Sequence, residues 1–358
     1  MESLTYALVL ILTLTSIFNF FTIRSVRQGE QELEDSVAIL IPMRNEVENV
    51  SSVISSALSQ VRVKHLKVMA IDDASTDGTR DRLEDIRDGR FAFKVGTDLP
   101  EGWLGKNFAL ENLSKDLSED FIVFLDADVR LAANAVADSI NLMKQLKWDY
   151  ISPYPRQLAN NLLARIVQPL LQWSWFSSLP LRLIESSKSP STVVANGQFF
   201  IVRNSVYRNI GGHSAIKSEV LDDIELAREL RRAGAKGSVV DGSSIATCEM
   251  YRSTAELISG YSKSQWRAFG NSLGAILACA LLFISSISPL LYGLNGKTWG
   301  WIACISLVLS RFLAAIKTRS ILSTALLHQI AILIWIGLIC RSLVLKRTGS
   351  LQWRGRNI

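Results

Sequence analysis

Asp126 and Asp128 follow the apolar run Phe121–Leu125 and are separated from each other by one small residue. The run is rich in β-branched and aromatic side chains, which predicts a strand buried on both faces. Residues two apart on a strand face the same way, so both carboxylates converge where the strand leaves the core. Carboxylates this close repel and stay ionised only beside a cation or bound water. Oxygen ligands of this kind suit Mg2+ or Mn2+, usually shared with phosphate oxygens. A solvated acidic turn explains the stretch as well by itself, so the choice rests on what surrounds it.

Acids recur at the ends of two other predicted strands. SVAILIPMRNE ends in Pro42, Asn45 and Glu46, and LKVMAIDDASTDGT ends in Asp72 and Asp73. A further pair, Asp222 and Asp223, opens the predicted helix in EVLDDIELARELRRAG, whose apolar stripe is Val220, Ile224, Ala227 and Leu230. Such a set suits a nucleoside diphosphate donor. Asp72 or Asp73 would accept hydrogen bonds from base or ribose at a strand terminus. Asp128, supported by Asp126, would hold a divalent ion between two phosphates, neutralising charge on a leaving diphosphate. Lys106, following Gly102 and Gly105 at the start of a predicted helix, adds a cation and backbone N–H groups. A separate carboxylate, Asp222 or Asp223, would take a proton from an attacking hydroxyl, a contribution of roughly 10²–10⁴-fold. Asp77 and Thr79 read as helix caps. Asn196, Gly197 and Gln198 either shape an acceptor pocket or form a tight turn; His213 is a third metal ligand, lines the acceptor site or is structural; Trp103 packs over a sugar or under the sheet.

The elements that would hold these groups alternate between apolar strands and helices, among them a helix near 47–60 with Val50, Val53, Ile54, Ala57 and Leu58 at helical spacing. That order predicts an α/β fold with a doubly wound, mostly parallel sheet, its ligands bound beyond the carboxyl ends of the strands. The ends of the chain are different. Residues 4–22 form a nearly uncharged run of bilayer length, with Glu2 before it and Arg24 and Arg27 after it. This reads as an N-terminal transmembrane anchor (1–24) that places the following domain, 36–270, in the cytoplasm. Apolar stretches at about 273–294, 298–316 and 321–340 contain Arg311 and His328, and predict transmembrane or interfacial helices over 271–341. Two crossings plus a surface-lying segment keep the basic tail 342–358 inside. Residues 160–190, with Trp173, Trp175 and Phe176 but also Arg165, Pro169, Pro180 and Arg182, suggest either a segment at the membrane surface or an ordinary core helix.

The chain has 358 residues, and its 39 Lys and Arg against 33 Asp and Glu give a formal charge of +6. Much of that excess flanks apolar stretches, which favours a membrane over nucleic acid as partner. The mean hydropathy of +0.21 reflects apolar residues gathered at the two ends. Cys248 stands alone, and Cys279, Cys304 and Cys340 lie in apolar segments, a spacing unlike a zinc knuckle or a disulfide framework.

IPMRNE, IDDASTDGT, GWLGKNFA, DADV, NGQFFIVRN, IGGH and LDDIELARELRRAG, in this order, resemble glycosyltransferase family 2 over about residues 36–270. The later half, with MYRSTAELISGYSKSQW and a terminal WRGR, is similar to a membrane-bound branch that glycosylates carotenoids and related polyisoprenoid lipids. The resemblance implies a GT-A fold, a nucleotide-sugar donor such as UDP-glucose and a lipid acceptor. It implies donor binding by Pro42, Asn45, Glu46, Asp72, Asp73, Lys106 and Asp126, with the metal on Asp128. The second acid of the helix-start pair, Asp223, then takes the base position, beside Asp222 where the family usually has glutamate. Gln265-Trp266-Arg267 departs from the family's Q-x-x-R-W order, so that motif's role is not carried over. Rival expectations are transfer to a polyprenyl phosphate or hopanoid, and a catalytically inactive scaffold of the same fold. A nicotinamide-dependent oxidoreductase is disfavoured because no G-x-G-x-x-G follows the first strand.

Overall fold

The computed structural model describes residues 2–353 and 356–357; Arg354 and Gly355 of the terminal WRGR, and Ile358 of the basic tail, lie outside the described residues. The chain forms two compact units. One comprises Arg24–Arg156 and Leu183–Cys248, the other Met1–Ile23, Gln157–Arg182 and Glu249–Ile358. The expected continuous domain 36–270 is therefore interrupted, because residues 157–182 and 249–270 belong with the apolar helices.

The first unit is built on nine strands: β1 (Leu33–Met43), β2 (Val63–Asp72), β3 (Phe91–Val95), β4 (Phe121–Leu125), β5 (Val129–Leu131), β6 (Tyr150–Tyr154), β7 (Phe199–Arg203), β8 (Gly237–Asp241) and β9 (Ala246–Cys248). Seven of them form a sheet in the order β3-β2-β1-β4-β7-β6-β8. All neighbours run parallel except β7, which is antiparallel to both β4 and β6. The sheet is mostly parallel, as the strand–helix alternation predicts. β1 and β4 lie at its centre, and every residue of β4 is buried, which is why FIVFL is apolar on both faces. Pro42 sits in β1 opposite Ile71, beyond the last pairing with β4 at Leu40–Phe124. Its missing N–H therefore leaves no gap in the β4 ladder. β5 and β9 pair antiparallel in a smaller second sheet, with Val129 opposite Cys248.

Helix Val50–Leu58 buries Val50, Val53, Ile54 and Ala57, the stripe its spacing predicts. Helix Asp222–Arg232 buries Leu226, Ala227 and Leu230, so Leu226 takes a core position and Val220 and Ile224 are only half-buried. Three acids stand in its first turn and two arginines in its last, a placement that complements the helix dipole.

Among the described residues of the second unit, four helices are long and apolar enough to cross a membrane: Glu2–Thr22, Ser272–Leu294, Thr298–Lys317 and Leu322–Arg347. Three C-terminal helices of that kind stand where two crossings and a surface segment are expected. Helix Pro169–Ser178 is not a surface segment on its inner side. Trp173 and Phe176 are buried; Trp173 Nε1 donates to Ser310 Oγ at 2.7 Å, and Asn19 Nδ2 donates to Phe176 O at 2.7 Å. The half-exposed Trp175 and the exposed Leu162 and Leu183 keep some of the amphipathic character expected of that stretch.

Candidate active site

Phe121–Leu125 ends as predicted, but its two acids are not on the strand. The backbone turns at Asp126, whose carbonyl accepts from Val129 N at 3.1 Å, and β5 leaves in the second sheet. The convergence of Asp126 and Asp128 comes from this turn rather than from strand alternation. Asp128 accepts a hydrogen bond from the Cys248 thiol, while its Oδ1 is buried with no hydrogen-bond partner among the described residues. Burial, with repulsion from Asp126 and Glu46, pushes the Asp128 carboxyl up to about 7.

Lys106 supplies the compensating charge. Its Nζ lies 2.8 Å from Asp126 Oδ1 and 3.1 Å from Asp222 Oδ2, joining the end of β4 to the start of helix Asp222–Arg232. Burial pulls its pKa down, but Asp126, Asp222 and Asp223 outweigh that and keep the ammonium firmly charged. The Asp126 carboxyl is nonetheless raised, by burial first, against the pull of Lys106.

Asp223 is held through both of its oxygens. Oδ2 accepts from Gly197 N and Oδ1 from Ile224 N, both at 2.8 Å. Burial and the adjacent Asp222 lift it to about 6, against Lys106 and those two N–H donors. A carboxyl poised there is partly ionised near neutrality and suited to accepting a proton. The loop that donates to it is fixed in turn. Asn196 N donates to Ser152 Oγ on β6 at 2.8 Å, Gln198 N donates to Asn196 Oδ1 at 2.8 Å, and Gln198 O accepts from Asp126 N at 3.0 Å. Asn196, Gly197 and Gln198 therefore tie the two acidic segments together. At Gly197 a Cβ would come 3.0 Å from Asp223 Cβ, so any larger residue would have to shift one of the two by a few tenths of an ångström.

The acids of the first two strand ends form the neighbouring part of the rim. Asn45 and Ala74 adopt left-handed backbone, with φ of 54° and 55°, where β1 and β2 turn away. Asn45 N donates to Ser75 Oγ at 2.9 Å, and Thr76 N donates to Asn45 Oδ1 at 2.8 Å, joining the two loops. Asp77 accepts from Thr79 and from Val47 N, and Thr79 Oγ1 accepts from Glu46 N at 2.8 Å. The N-cap of helix Thr79–Glu84 is Gly78 rather than either expected residue; Asp77 and Thr79 instead latch the loop that carries Glu46. Asp72 is buried and accepts from Ser75 N at 3.2 Å; Asp73 lies 3.8 Å from Arg44 Nη1. Glu46 acts electrostatically on both Asp126 and Asp128.

His213 sits deeper. It is 1 % exposed, its Nδ1 is 2.7 Å from the Tyr207 hydroxyl and its ring stands edge-on to Phe124 at 4.9 Å. Burial lowers its pKa to about 4, so the ring is neutral at physiological pH. Trp103 rests against Phe108, ring centroids 5.4 Å apart.

Two contributors escape sequence reasoning. Cys248 reaches Asp128 only because β9 pairs with β5. Asn107 is 1 % exposed and donates from Nδ2 to the carbonyls of Ile216 (2.8 Å) and Glu219 (3.0 Å), clamping the segment before Asp222 to the helix that carries Lys106. Nothing in GKNFA distinguishes a clamp from an ordinary helix-start polar residue.

A divalent ion can be tested against these donors. Among the described residues no group of three or more His, Cys, Asp and Glu side chains is arranged to hold a metal. The orphaned Oδ1 of Asp128 still fits a hard cation, provided that most of the coordination comes from a bound diphosphate.

Residues 38–211 match the family described as glycosyl transferase family 2. The 4,4'-diaponeurosporenoate glycosyltransferase of Staphylococcus haemolyticus (strain JCSC1435) is 23% identical over 297 residues, covering 76% of this chain and 73% of that protein. Among solved structures, the mannosyltransferase PcManGT from Pyrobaculum calidifontis, in complex with GDP-Man and Mn2+, superimposes with a TM-score of 0.57 at 16% identity, covering 98% of each chain. That likeness shows the fold, and it extends over the apolar helices as well as the sheet. The sheet order, the acid-lined rim and the match of residues 38–211 to glycosyl transferase family 2 together make this chain a glycosyltransferase.

Proposed function

We propose that the protein transfers a sugar, with inversion, from a nucleotide-sugar donor, UDP-glucose, to a hydroxyl or carboxylate on an apolar lipid of the carotenoid type. The observation that carries this reading is Lys106 held between Asp126 and Asp222 while Asp223 stands anchored beside them. That arrangement offers a cation for phosphate and a separate carboxylate for a proton.

In this reading Asp72 and Asp73, with Pro42, Asn45 and Glu46, receive the nucleoside at the ends of β1 and β2. Lys106 faces the diphosphate, and Asp128 with Asp126 would hold a Mg2+ or Mn2+ ion shared with it. When bound, that ion supplies charge neutralisation to the leaving group. The acceptor oxygen attacks the anomeric carbon from the face opposite the diphosphate. The new C–O bond forms as the bond to phosphate breaks, and the nucleoside diphosphate departs. For a hydroxyl acceptor, Asp223 Oδ takes the proton; a carboxylate acceptor arrives ionised and asks only for orientation. Asp222 keeps Lys106 in place, Asn196, Gly197 and Gln198 border the acceptor side, and buried His213 supports that side from beneath.

The lipid acceptor is supported by the name of the Staphylococcus haemolyticus relative, a diaponeurosporenoate glycosyltransferase, and by the four bilayer-length helices. Arg24 and Arg27 after the first helix favour the cytoplasmic side of a cell membrane for the sheet-bearing unit. Full-length protein in detergent, given UDP-glucose, Mn2+ and a carotenoid carboxylate, should yield the acceptor plus one hexose by mass spectrometry. Transfer only to a polyprenyl phosphate or a hopanoid would replace this acceptor class. Undiminished transfer after Asp223→Asn with a hydroxyl acceptor, or after EDTA, would overturn the assigned chemistry.

A further inference from the structure

Helix Thr298–Lys317 carries Arg311 in the middle of an otherwise apolar span, and the side chain is turned inward, 2 % exposed. Neither Nη1 nor Nη2 has a hydrogen-bond partner among the described residues, and no Asp or Glu pairs with this guanidinium among them. A buried guanidinium without a counter-charge is expensive in protein and more so within lipid. His328, fully buried at the start of helix His328–Arg347, is near enough for the Arg311 charge to act on it. Its Nε2 lies 3.2 Å from Ser286 Oγ, while Nδ1 has no partner among the described residues. In the tautomer that carries its proton on Nδ1, Ser286 donates to Nε2 and Nδ1–H is a second unused donor.

Ser286 is brought inward by a π-helical turn, Phe283–Ile287, that interrupts the helix Ser272–Leu294. Single π-turns of this kind are frequent at functional sites. Trp173 stands edge-on to His328 at 4.8 Å, and its Nε1 is already committed to Ser310. Two helices thus bring together unused ring and guanidinium nitrogens and one fixed positive charge, beside the Ser286 hydroxyl that the π-turn carries inward and with no carboxylate paired to the charge among the described residues. Arg311 lies six residues, about 9 Å, from the helix end at Lys317, a depth reached by the head of an amphiphile whose chain lies in the bilayer.

From this the structure assigns to the helical unit a binding site for an oxyanion head, carboxylate or phosphate monoester, carried on an apolar chain. Arg311 meets the oxyanion through its two Nη groups and His328 Nδ1–H supplies a further bond. The site does not depend on the sugar donor or on the transfer chemistry, and its test reads binding alone.

The test is thermal unfolding of the full-length protein in a neutral detergent, titrated separately with oleate, dodecyl phosphate, oleyl alcohol, sodium acetate and inorganic phosphate. Wild-type protein should gain at least about 3 °C, saturably, with oleate or dodecyl phosphate. The neutral alcohol and the free anions should leave it unchanged. Arg311→Gln should abolish the gain, and Arg311→Lys should keep part of it because the charge remains without the fork. Without ligand, Arg311→Gln should melt at or above the wild-type temperature, since it removes an uncompensated buried charge. No response to either anionic amphiphile overturns the assignment, as does an equal response in Arg311→Gln. An Arg311→Gln protein that melts lower or fails to fold would show a structural role for Arg311 and also overturn it. A response matched by inorganic phosphate or acetate would overturn the lipid head as the ligand.

Discussion

Gly197→Ala perturbs the proposed catalytic base without touching an ionisable group. The backbone at Gly197 is outside the left-handed region, so alanine brings no backbone strain and only the added methyl acts. That methyl would lie 3.0 Å from Asp223 Cβ and 3.5 Å from Lys106 Nζ. The lysine contact is ordinary; the aspartate contact is too short, and one partner must move by a few tenths of an ångström. Asp223 has little freedom to do so, because Gly197 N and Ile224 N each hold one of its oxygens at 2.8 Å. Relief therefore comes by weakening one bond to a charged group, which is worth about 1.5–3 kcal/mol. If that loss appears wholly in the transition state, kcat falls about 10- to 160-fold. Lys106, Asp126 and the strand ends at Asp72 and Asp73 keep their places, so UDP affinity should stay within about threefold, or ~0.6 kcal/mol. Steady-state kinetics with saturating donor and a hydroxyl acceptor give kcat, calorimetric titration with UDP gives the affinity, and thermal unfolding checks that the protein is intact. An unchanged kcat would show that the position of Asp223 does not matter. A loss of UDP affinity as large as the loss of kcat would show that the rim had collapsed as a whole, refuting the separation of base from donor site.

Other consequences can be measured alongside. With a hydroxyl acceptor, transfer by the wild-type enzyme should fall about tenfold per pH unit below about 6, because Asp223 is raised to about 6 and must be ionised to act; Asp223→Asn should lose roughly 10²–10⁴-fold and show no such limb. Binding of Mn2+ to the UDP complex should weaken about tenfold per unit as the pH drops below about 7, since the ion displaces a proton from Asp128, and Asp128→Asn should remove that dependence in a calorimetric titration. Lys106→Met leaves Asp126, Asp222 and Asp223 without their shared cation, and with about a third of the lysine side chain exposed (32%) the cost should be moderate, about 1–3 kcal/mol in denaturant unfolding, together with a raised KM for the donor; a donor KM unchanged from wild type would remove Lys106 from the phosphate site. His213 is lowered to about 4 when folded and takes up its proton near 6.5 when unfolded, so its contribution is complete above pH 6.5 and is lost as the pH falls towards 4, by about 3 kcal/mol; His213→Gln should flatten that part of the stability profile.

How far the chain could be read in advance follows from the range over which each signal acts. The run FIVFL announced a strand buried on both faces because β4 lies between β1 and β7 at the centre of the sheet, and burial there is a property of consecutive residues. The acids at 72–73, 126–128 and 222–223 were legible for the same reason, as polar residues where an apolar period stops. What could not be read was pairing. That NGQFFIVR runs against its neighbours and enters between β4 and β6 depends on contacts between residues many tens of positions apart. The same long-range pairing brings Cys248 to Asp128 and makes Asn196–Gln198 the tie between two acidic segments. Composition left residues 160–190 open between a membrane-surface segment and a core helix, since Trp173 and Phe176 look alike whether they face lipid headgroups or other helices; the structure buries both. Arg311 and His328 show the converse case: as charged or polar exceptions inside apolar runs they were conspicuous locally, yet only the packing of separate helices around the Phe283–Ile287 turn puts them in one place. A residue type that costs stability wherever it is buried marks a site before the fold is known, and the fold then identifies the other groups that meet it.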